Sequence, residues 1–255
     1  MDKVKGVSVV VTALNEEKNI TATIENILRA FEVFNIEGEI IVVNDGSCDK
    51  TEDLVKILKE KNPKVKILSH SKPKGVGTSF WDGVDKAGGD FVLWMPGDNE
   101  NDPLEILRYY KLLEQVDIVI PFVFNKNARS LFRNALSFIY RFIINTTFVV
   151  NFHYTNGTIL YRKSILKELK FRSNGFFFQT DILIRAAKRG YLFAEVPYRL
   201  DVREHGISKA VSFPSLLHVA SGYLRLLRDF YFKKDKAGEP GFAKDSLTAI
   251  RRSSG

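Results

Sequence analysis

The chain has 255 residues, of which 38 are Lys or Arg and 30 are Asp or Glu, so its formal net charge is +8. This length suffices for a domain with a buried core, and the single cysteine, Cys48, excludes an internal disulfide framework and a zinc site built from several thiolates. That cysteine content fits a reducing compartment, so we expect a cytoplasmic location. The positive charge favours anionic partners such as phosphates or an acidic membrane face.

Two apolar segments bear on targeting and on membranes. The first, VSVVVTAL, is short, strand-like and followed at once by NEEKN, so we expect no signal peptide. The second, LFRNALSFIYRFIINTTFVVNF (131–152), is interrupted by Arg133, Asn134, Arg141 and Asn145. It falls short of the run of about 20 apolar residues that a transmembrane helix needs. Core packing and a peripheral position at the membrane interface stay open as alternatives for it.

The first hundred residues alternate strand-like and helix-like patterns. VSVVVTAL (7–14) is apolar on both faces, as in a buried parallel strand, and 19–34 has helical spacing. Further strands are predicted at 39–45, 65–69 and 90–95, and further helices at 52–61 and 79–87. This alternation predicts an α/β fold with a parallel, doubly wound sheet, whose ligands bind at the carboxyl ends of the strands.

Each of these four strands is followed by a polar or glycine-rich cluster. The clusters are Asn15 to Glu17, Asp45 to Ser47, Lys72 to Gly77, and Pro96 to Asp102. In the last of them, LWMPGDNENDP, carboxylates occupy every second position at the end of an apolar strand. Such groups are costly to desolvate unless a cation or a hydrogen-bonding ligand lies among them, and a solvated acidic turn is the alternative.

The second half of the chain is less regular. A strand is predicted at 117–124, and a basic amphipathic stretch begins at 125. A turn, a short strand and the start of a helix are predicted within 155–169. A helix in GFFFQTDILIRAAKRGY is predicted to end at Gly190, and a strand follows in FAEVPYR. The charged C-terminal segment, rich in small residues, predicts a loosely held tail over 231–255.

Several segments together resemble the successive motifs of family 2 glycosyltransferases, which are inverting enzymes with a GT-A fold. They are SVVVTALNEEKNI, EIIVVNDGSCDKT, KPKGVGTSFWDGVDKAGGDFVLWMPGDNENDP, and FFFQTDILIRAAKRGYLFAEVPYR with REHGISK. The later motifs are most similar to the branch of polyprenyl-phosphate sugar synthases such as dolichol-phosphate mannose synthase. The resemblance covers about residues 5–210, in the family's order and spacing.

The resemblance implies a GT-A (Rossmann-like) α/β fold with a mixed, mainly parallel sheet flanked by helices. We expect a single domain over 1–230, with a nucleotide-sugar half over about 1–103 and an acceptor half over about 104–230. The resemblance also implies that the nucleotide-sugar is bound by Ala13, Asn15, Glu16, Asp45, Lys74, Gly75, Gly77 and Asp98. The family often has Asp-Asp where this chain has Asn44-Asp45, so the base of the donor stays open.

The family's Asp-x-Asp metal motif aligns with Pro96-Gly97-Asp98, so the first carboxylate is missing. Related synthases have a further oxygen ligand two residues after the second Asp, and Glu100 occupies that position. The resemblance therefore implies that Asp98 and Glu100 bind Mg²⁺ or Mn²⁺, which takes its other oxygen ligands from the diphosphate and from water. Weak or absent metal dependence is the alternative that Pro96 raises.

The resemblance also assigns residues to catalysis and to the acceptor. Asp181 matches the acidic position near the anomeric carbon, where it would act as a general base towards a hydroxyl acceptor, or orient groups and balance charge beside a phosphate acceptor. Arginines suit diphosphate and lipid phosphate because the guanidinium group binds phosphate oxygens in pairs. The residues assigned to these phosphates are Arg129, Arg133, Arg203, Ser208 and Lys209, with Arg203 counted as catalytic.

These features predict an inverting glycosyltransferase that moves a sugar from a nucleoside-diphosphate sugar to a polyprenyl phosphate at the cytoplasmic face of a membrane. One alternative is a glycosyltransferase that uses a hydroxyl of a glycan or glycolipid, with Asp181 as base. Another is a catalytically silent module that binds a nucleotide-sugar, which Pro96 favours. We expect no nucleic-acid partner, because only the net charge suggests one and no recognised motif supports it.

Overall fold

The computed structural model describes residues 6–125, 131–169, 172–199, 213–232 and 241–253, without the side chains of 131–133 and 213–216. The strands are β1 (Val7–Ala13), β2 (Gly38–Asn44), β3 (Val65–Ser69), β4 (Phe91–Pro96), β5 (Ile118–Val123), β6 (Leu160–Arg162) and β7 (Phe193–Tyr198). The helices are α1 (Ile20–Val33), α2 (Thr51–Lys61), α3 (Val76–Lys86), α4 (Pro103–Leu107), α5 (Leu131–Phe148), α6 (Lys163–Lys167), α7 (Phe178–Arg189), α8 (Phe213–Tyr231) and α9 (Leu247–Ser253), with a 3₁₀ helix at Tyr110–Glu114.

The strands form one seven-stranded sheet in the order β3-β2-β1-β4-β6-β5-β7. Strands β1 to β4 pair in parallel, β6 runs antiparallel to both β4 and β5, and β7 pairs in parallel with β5. The predicted mixed, mainly parallel sheet flanked by helices is confirmed. This order makes the carboxyl ends of β3, β2, β1 and β4 consecutive neighbours along one edge of the sheet.

Apolar cores lie on both faces of the sheet, which explains why its central strands are apolar throughout. All seven residues of β1 are buried. Val10 packs into one core with Phe80 of α3 and Phe178 of α7. Val9 and Val11 belong to the other core, which contains residues of α1. Because successive side chains of a strand point to opposite faces, burial on both sides requires a continuous apolar run.

The prediction of a loosely held tail over 231–255 is wrong for residues 241–253. Leu247 and Thr248, which begin α9, donate their backbone N–H groups to the fully buried carboxylate of Asp117 at 2.7 and 3.1 Å. The first N–H groups of a helix have no partner within the helix, so a buried carboxylate can hold the helix in place. The segment is packed despite its charged, small-residue composition because its partner is supplied from the start of β5.

Helix α5 has one buried and one exposed apolar face. Ile144 and Phe148 are 1% and 0% exposed, whereas Phe138 and Phe142 are 58% and 61% exposed. The further exposed apolar residues of α5 are Leu136, Ile139 and Ile143. Core packing and a position at the membrane interface therefore both stay open for this stretch, since one face packs in the core and the other is exposed. Within the described ranges, no helix combines the length and the apolar character needed to cross a bilayer.

Candidate active site

The four polar clusters that follow the first strands converge at one edge of the sheet. Ala13 at the end of β1 is in register with Asn44 at the end of β2, and Asn44 is in register with Ser69 at the end of β3. On the other side, Thr12 of β1 is in register with Pro96 at the end of β4. The loops that carry the predicted donor residues therefore start side by side, as expected from the parallel arrangement.

The loop after β1 is fastened to the turn after β2. The side-chain oxygen of Asn15 accepts the N–H of Cys48 at 2.8 Å, and the N–H of Glu16 donates to the hydroxyl of Thr51 at 2.8 Å. Asn15 has a φ of 56°, which asparagine tolerates better than most residues. The two loops thus form one framework that fixes the predicted donor residues Asn15 and Glu16 relative to the turn.

The carboxylate of Asp45 is engaged with the basic loop after β3. Its Oδ1 accepts the N–H of Lys74 at 2.8 Å, and its Oδ2 accepts the N–H of Gly75 at 2.9 Å. The Nδ1 of buried His70 lies 2.7 Å from the same Oδ1. A carboxylate has about four lone-pair sites, so these three contacts leave capacity for one ligand N–H or hydroxyl. Asp45 therefore organises the loop as well as being a candidate ligand for the donor.

Close approach of two backbone segments explains the glycines at 75 and 77. Gly75 has a φ of 98°, and a Cβ atom on Gly77 would lie 2.4 Å from the carbonyl oxygen of Ser173. The N–H of Gly77 donates to the carbonyl of Asn174 at 3.0 Å. Because Gly75 turns the chain there, α3 begins at Val76, three residues earlier than predicted. Contact of these glycines with the nucleotide stays a prediction, and Lys74 is exposed beside them.

The acidic loop after β4 divides into a cap and two candidate ligands. Asp102 accepts the N–H of Leu104 at 2.8 Å and caps α4, whereas Asp98 accepts the N–H of Glu100 at 3.1 Å. Over the residues that the structure describes, no group of three or more His, Cys, Asp or Glu is arranged to hold a metal ion. Asp98 and Glu100 are hard oxygen donors that suit Mg²⁺ or Mn²⁺ when the substrate and water supply the remaining ligands.

Asp181 lies in the first turn of α7 and is 3% exposed. Arg185, one turn later, donates its Nε to the Asp181 carboxylate at 3.0 Å and an Nη to Asp229 of α8 at 2.8 Å. Burial raises the pKa of Asp181, and the charge and hydrogen bond of Arg185 oppose that rise. The ion pair suits a carboxylate that balances charge, while the raised pKa suits proton transfer, so both predicted roles of Asp181 stay open.

The predicted acceptor residues fall largely outside the described ranges. Arg129, Arg203, Ser208 and Lys209 lie in the parts of the chain that are not described, and only the backbone of Arg133, in α5, is described. Their binding to phosphates stays a prediction. A cavity of about 150 Å³ lies beside α5 and is lined by Val123, Asn134, Ser137, Phe138, Arg141, His153 and Tyr154.

Sequence reasoning missed His70 and Arg185, which contact the candidate carboxylates Asp45 and Asp181, and Asp229, which pairs with Arg185. His70 directly follows β3 and could have been counted with the polar clusters at the strand ends. Arg185 follows Asp181 by four residues in a predicted helix, a spacing that indicates an ion pair. Asp229 is distant in sequence, and no signal in the chain pointed to its pairing with Arg185.

The fold resembles that of solved glycosyltransferases. A glucosyl-3-phosphoglycerate synthase from Mycobacterium tuberculosis, in complex with Mn²⁺, UDP and glucosyl-3-phosphoglycerate, superposes with a TM-score of 0.66 at 22% identity, over 88% of this chain and 80% of that one. A second structure of that synthase, with Mg²⁺ and UDP, gives a TM-score of 0.66 at 20% identity, over 88% of this chain and 79% of that one. These similarities establish the GT-A fold.

Curated relatives resemble the sequence as well. The dodecaprenyl-phosphate galacturonate synthase of Rhizobium johnstonii is 26% identical over 244 residues, which are 94% of this chain and 70% of that protein. The undecaprenyl-phosphate 4-deoxy-4-formamido-L-arabinose transferase of Photorhabdus laumondii is 30% identical over 137 residues, 53% of this chain and 42% of that protein. This second match therefore spans less than half of the relative. The sequence model of the family described as Glycosyl transferase family 2 matches residues 8–170, more than half of the chain, so the chain belongs to glycosyl transferase family 2, and the family resemblance of its motifs is confirmed.

Proposed function

We propose that this glycosyltransferase transfers a sugar from a nucleoside-diphosphate sugar to a polyprenyl phosphate, with inversion at the anomeric carbon. The observation that carries the proposal is the convergence of four polar strand ends, where Asp45 ties the basic loop to the turn after β2, on the same sheet edge as the loop with Asp98 and Glu100. The names of the curated relatives, each a transferase or synthase acting on a polyprenyl phosphate, support the choice of acceptor.

The donor is proposed to lie along this edge of the sheet. Asn15, Glu16 and the open lone-pair site of Asp45 offer hydrogen-bond acceptors to the N–H of a base or the hydroxyls of a ribose. Ala13 ends β1 and is buried, so its proposed contribution is a packing contact with the base. The exposed ammonium of Lys74 provides positive charge for the diphosphate.

Asp98 and Glu100 are proposed to hold a divalent cation, Mg²⁺ or Mn²⁺, at the diphosphate. When bound, the cation would neutralise charge on the leaving nucleoside diphosphate. The solved structures with the same fold contain Mn²⁺ or Mg²⁺ with UDP, which supports a metal in this chain. Because no third carboxylate joins Asp98 and Glu100 in the described part of the chain and Asp102 caps α4, we expect much of the coordination to come from the substrate and water.

In the proposed reaction an oxygen of the acceptor phosphate attacks the anomeric carbon from the side opposite the diphosphate. The new carbon–oxygen bond forms as the bond to the leaving diphosphate breaks, so the anomeric configuration inverts. A phosphate is already ionised at neutral pH and needs no strong base. Asp181, paired with Arg185, would then orient groups and balance charge near the reacting carbon rather than remove a proton.

A hydroxyl acceptor is the second candidate, and one observation favours it. Burial raises the pKa of Asp181 despite Arg185, and a carboxyl group with a raised pKa is a better general base at neutral pH. In that case Asp181 would accept the proton of the attacking hydroxyl. The two candidates differ in the acceptor oxygen and in the need for Asp181 to carry a proton.

We propose that the exposed face of α5 contacts the bilayer that contains the acceptor. Phe138, Ile139, Phe142 and Ile143 form one stripe, since they are spaced at one and four residues along the helix. Arg141 lies beside this stripe, with its guanidinium carbon 5.6 Å from the centre of the Phe138 ring. Aromatic side chains with adjacent arginine are suited to the interface between lipid tails and headgroups. Under this proposal the chain is a peripheral protein at the cytoplasmic face of the membrane.

A transfer assay tests the proposed function. The protein is incubated with a panel of UDP-, GDP- and dTDP-sugars and with vesicles that contain undecaprenyl phosphate, with and without Mn²⁺, and lipid products are identified by mass spectrometry. One donor should yield a glycosyl phosphate lipid, at a higher rate with Mn²⁺. Transfer only to glycan or glycolipid hydroxyls would favour the second candidate. Nucleotide binding without turnover on either acceptor would leave only a silent binding module.

A further inference from the structure

His70 lies between two carboxylates at the candidate donor site. Its Nδ1 is 2.7 Å from Oδ1 of Asp45, and its Nε2 is 2.9 Å from Oδ2 of Asp82. The three residues come from different elements, since Asp45 follows β2, His70 follows β3 and Asp82 belongs to α3. The side chain of His70 is 3% exposed, whereas that of Asp82 is 35% exposed. His70 therefore links a half-exposed carboxylate on α3 to a buried carboxylate at the end of β2.

The same Asp45 carboxylate accepts the N–H groups of Lys74 and Gly75 at 2.8 and 2.9 Å. These residues belong to the basic loop that is proposed to face the diphosphate. The side chain of Asp45 can serve both N–H groups only when its two oxygens are turned towards the loop. His70 contacts one of those oxygens, so it restricts the rotation of the carboxylate.

Hydrogen bonds are directional, so His70 can hold the Asp45 carboxylate in one orientation. Ionised carboxylates only accept hydrogen bonds, and the two ring nitrogens of an imidazole point in different directions, so the ring can contact one carboxylate on each side. An apolar side chain of similar size would fill the space but would remove a hydrogen-bond partner from the buried carboxylate of Asp45, which costs free energy. It would leave the orientation of Asp45 to the loop alone, because dispersion contacts have little directionality.

We propose that His70 is a positioning residue for the donor. It contacts Asp82 on one side and fixes the orientation of Asp45 on the other. The backbone of the basic loop is thereby held in its binding conformation before the nucleotide binds. The proposal rests on the donor site of the proposed function. Holding a loop ready reduces the entropy that binding must remove, so loss of His70 should weaken nucleotide binding more than it slows the chemical step.

The test combines nucleotide affinity with a direct probe of the loop. His70→Gln keeps a polar side chain but offers a single amide nitrogen in place of the two ring nitrogens that contact the two carboxylates. In calorimetry with UDP and GDP in Mn²⁺, the better ligand should bind about tenfold more weakly to His70→Gln than to the wild type, and transfer should show a raised donor KM with kcat changed by less than about twofold. His153→Gln is the control for the same substitution elsewhere, because the more exposed His153 contacts one carboxylate, 2.8 Å away on Glu195, outside the donor loops.

Limited trypsin digestion reports the loop without a ligand, because the Lys74–Gly75 bond lies between the two N–H groups that Asp45 accepts. Cleavage after Lys74 should be faster in His70→Gln than in the wild type and in His153→Gln. Asp82→Ala, which removes the half-exposed carboxylate, should change affinity and cleavage in the same direction by about threefold, and it carries the test if His70→Gln does not fold.

Affinity and cleavage within twofold of the wild type, in a folded His70→Gln or Asp82→Ala protein, would overturn the proposal. An equal loss of affinity in His153→Gln would also overturn it, since the effect would then be general. If the wild type binds neither nucleotide, the proposed donor site fails, while the cleavage comparison still decides whether His70 holds the loop.

Discussion

The loops at the carboxyl ends of β1 to β4 and the exposed face of α5 are built in opposite ways. In the loops, side-chain oxygens accept main-chain N–H groups of a neighbouring loop, as those of Asn15 and Asp45 do. On α5, large apolar side chains such as Phe138 and Phe142 are mostly exposed. A preformed polar framework suits a charged, water-soluble donor, and an apolar face suits a lipid. Changes in the two regions should therefore separate use of the donor from access to the lipid.

The largest effect is expected in the acidic loop. Asp98→Ala removes one of the two carboxylates proposed to hold the metal at the diphosphate, so kcat/KM for transfer should fall by about 100- to 1000-fold with any acceptor. The measurement is a steady-state assay with saturating Mn²⁺. Asp85→Ala is the control, because Asp85 pairs with Arg172 at the surface of α3 and should leave activity within about twofold. Full activity in Asp98→Ala would remove Asp98 from the site.

The second largest effect is expected on the exposed apolar face of α5. The double variant Phe138→Ser, Phe142→Ser should lower transfer to undecaprenyl phosphate in vesicles by about 30-fold, because two aromatic side chains no longer enter the interface. Transfer to a short, water-soluble polyprenyl phosphate should stay unchanged, and co-sedimentation with vesicles should fall in parallel. Val33→Ser, at a similarly exposed residue of α1, is the control. An equal loss with both acceptors would show that α5 serves the catalytic site rather than the membrane.

A smaller effect is expected at Arg185, which links α7 to α8. Since the pKa of Asp181 is raised by burial, activity that depends on the ionised carboxylate should be present above that pKa and lost as the pH falls through it. Arg185→Gln removes the main group that opposes the rise in the pKa of Asp181, so the acid limb of the kcat/KM profile should move to higher pH, with a loss of about tenfold at neutral pH.

Two further variants control the pH experiment. Arg189→Gln, at the end of the same helix, should keep the wild-type profile, because Arg189 only approaches Glu168 at 3.9 Å. Asp181→Asn should lack the acid limb altogether. If Arg185→Gln and the wild type have the same acid limb, the ion pair does not control the protonation of Asp181.

The smallest effect is expected at the amino ends of the strands, opposite the candidate site, where no substrate is proposed to bind. Burial would raise the pKa of Glu39, but donation by Lys66, Ser8 and Gly88 outweighs burial and lowers it. A lowered pKa stabilises the fold above the pKa of the unfolded chain, and this stability is lost as the pH falls through the folded value. Glu39→Gln should therefore unfold more easily in urea at pH 7 and match the wild type in acid, with transfer unchanged. A stability difference that does not vary with pH would contradict this assignment.

The sheet and its order of loops could be predicted because their causes are local. The run VSVVVTAL is apolar throughout since both of its faces are buried, and the polar clusters begin where the strands end. The family motifs then gave these clusters a chemical meaning. The helix that ends at Gly190 was also predictable, because a left-handed glycine ends it with a φ of 88°.

The remaining features depend on contacts between distant segments. The reason for Gly77 is the backbone of Ser173, nearly one hundred positions later, and α9 is held by Asp117 across 130 positions. His70 contacts two carboxylates only because the fold brings Asp82 of α3 and Asp45 after β2 to either side of its ring. No periodicity or spacing encodes such pairs, so the sequence could indicate candidate side chains at the site without indicating what holds them.

The most direct test of the proposed reaction is the structure of its product. The lipid product formed in vesicles with undecaprenyl phosphate is isolated, and NMR determines the linkage through phosphorus coupling and the anomeric configuration relative to the donor. The proposed reaction predicts a sugar joined to the lipid phosphate through a phosphodiester, with the configuration of the donor inverted. A retained configuration, or a sugar joined only to a hydroxyl when both acceptors are supplied, would contradict it.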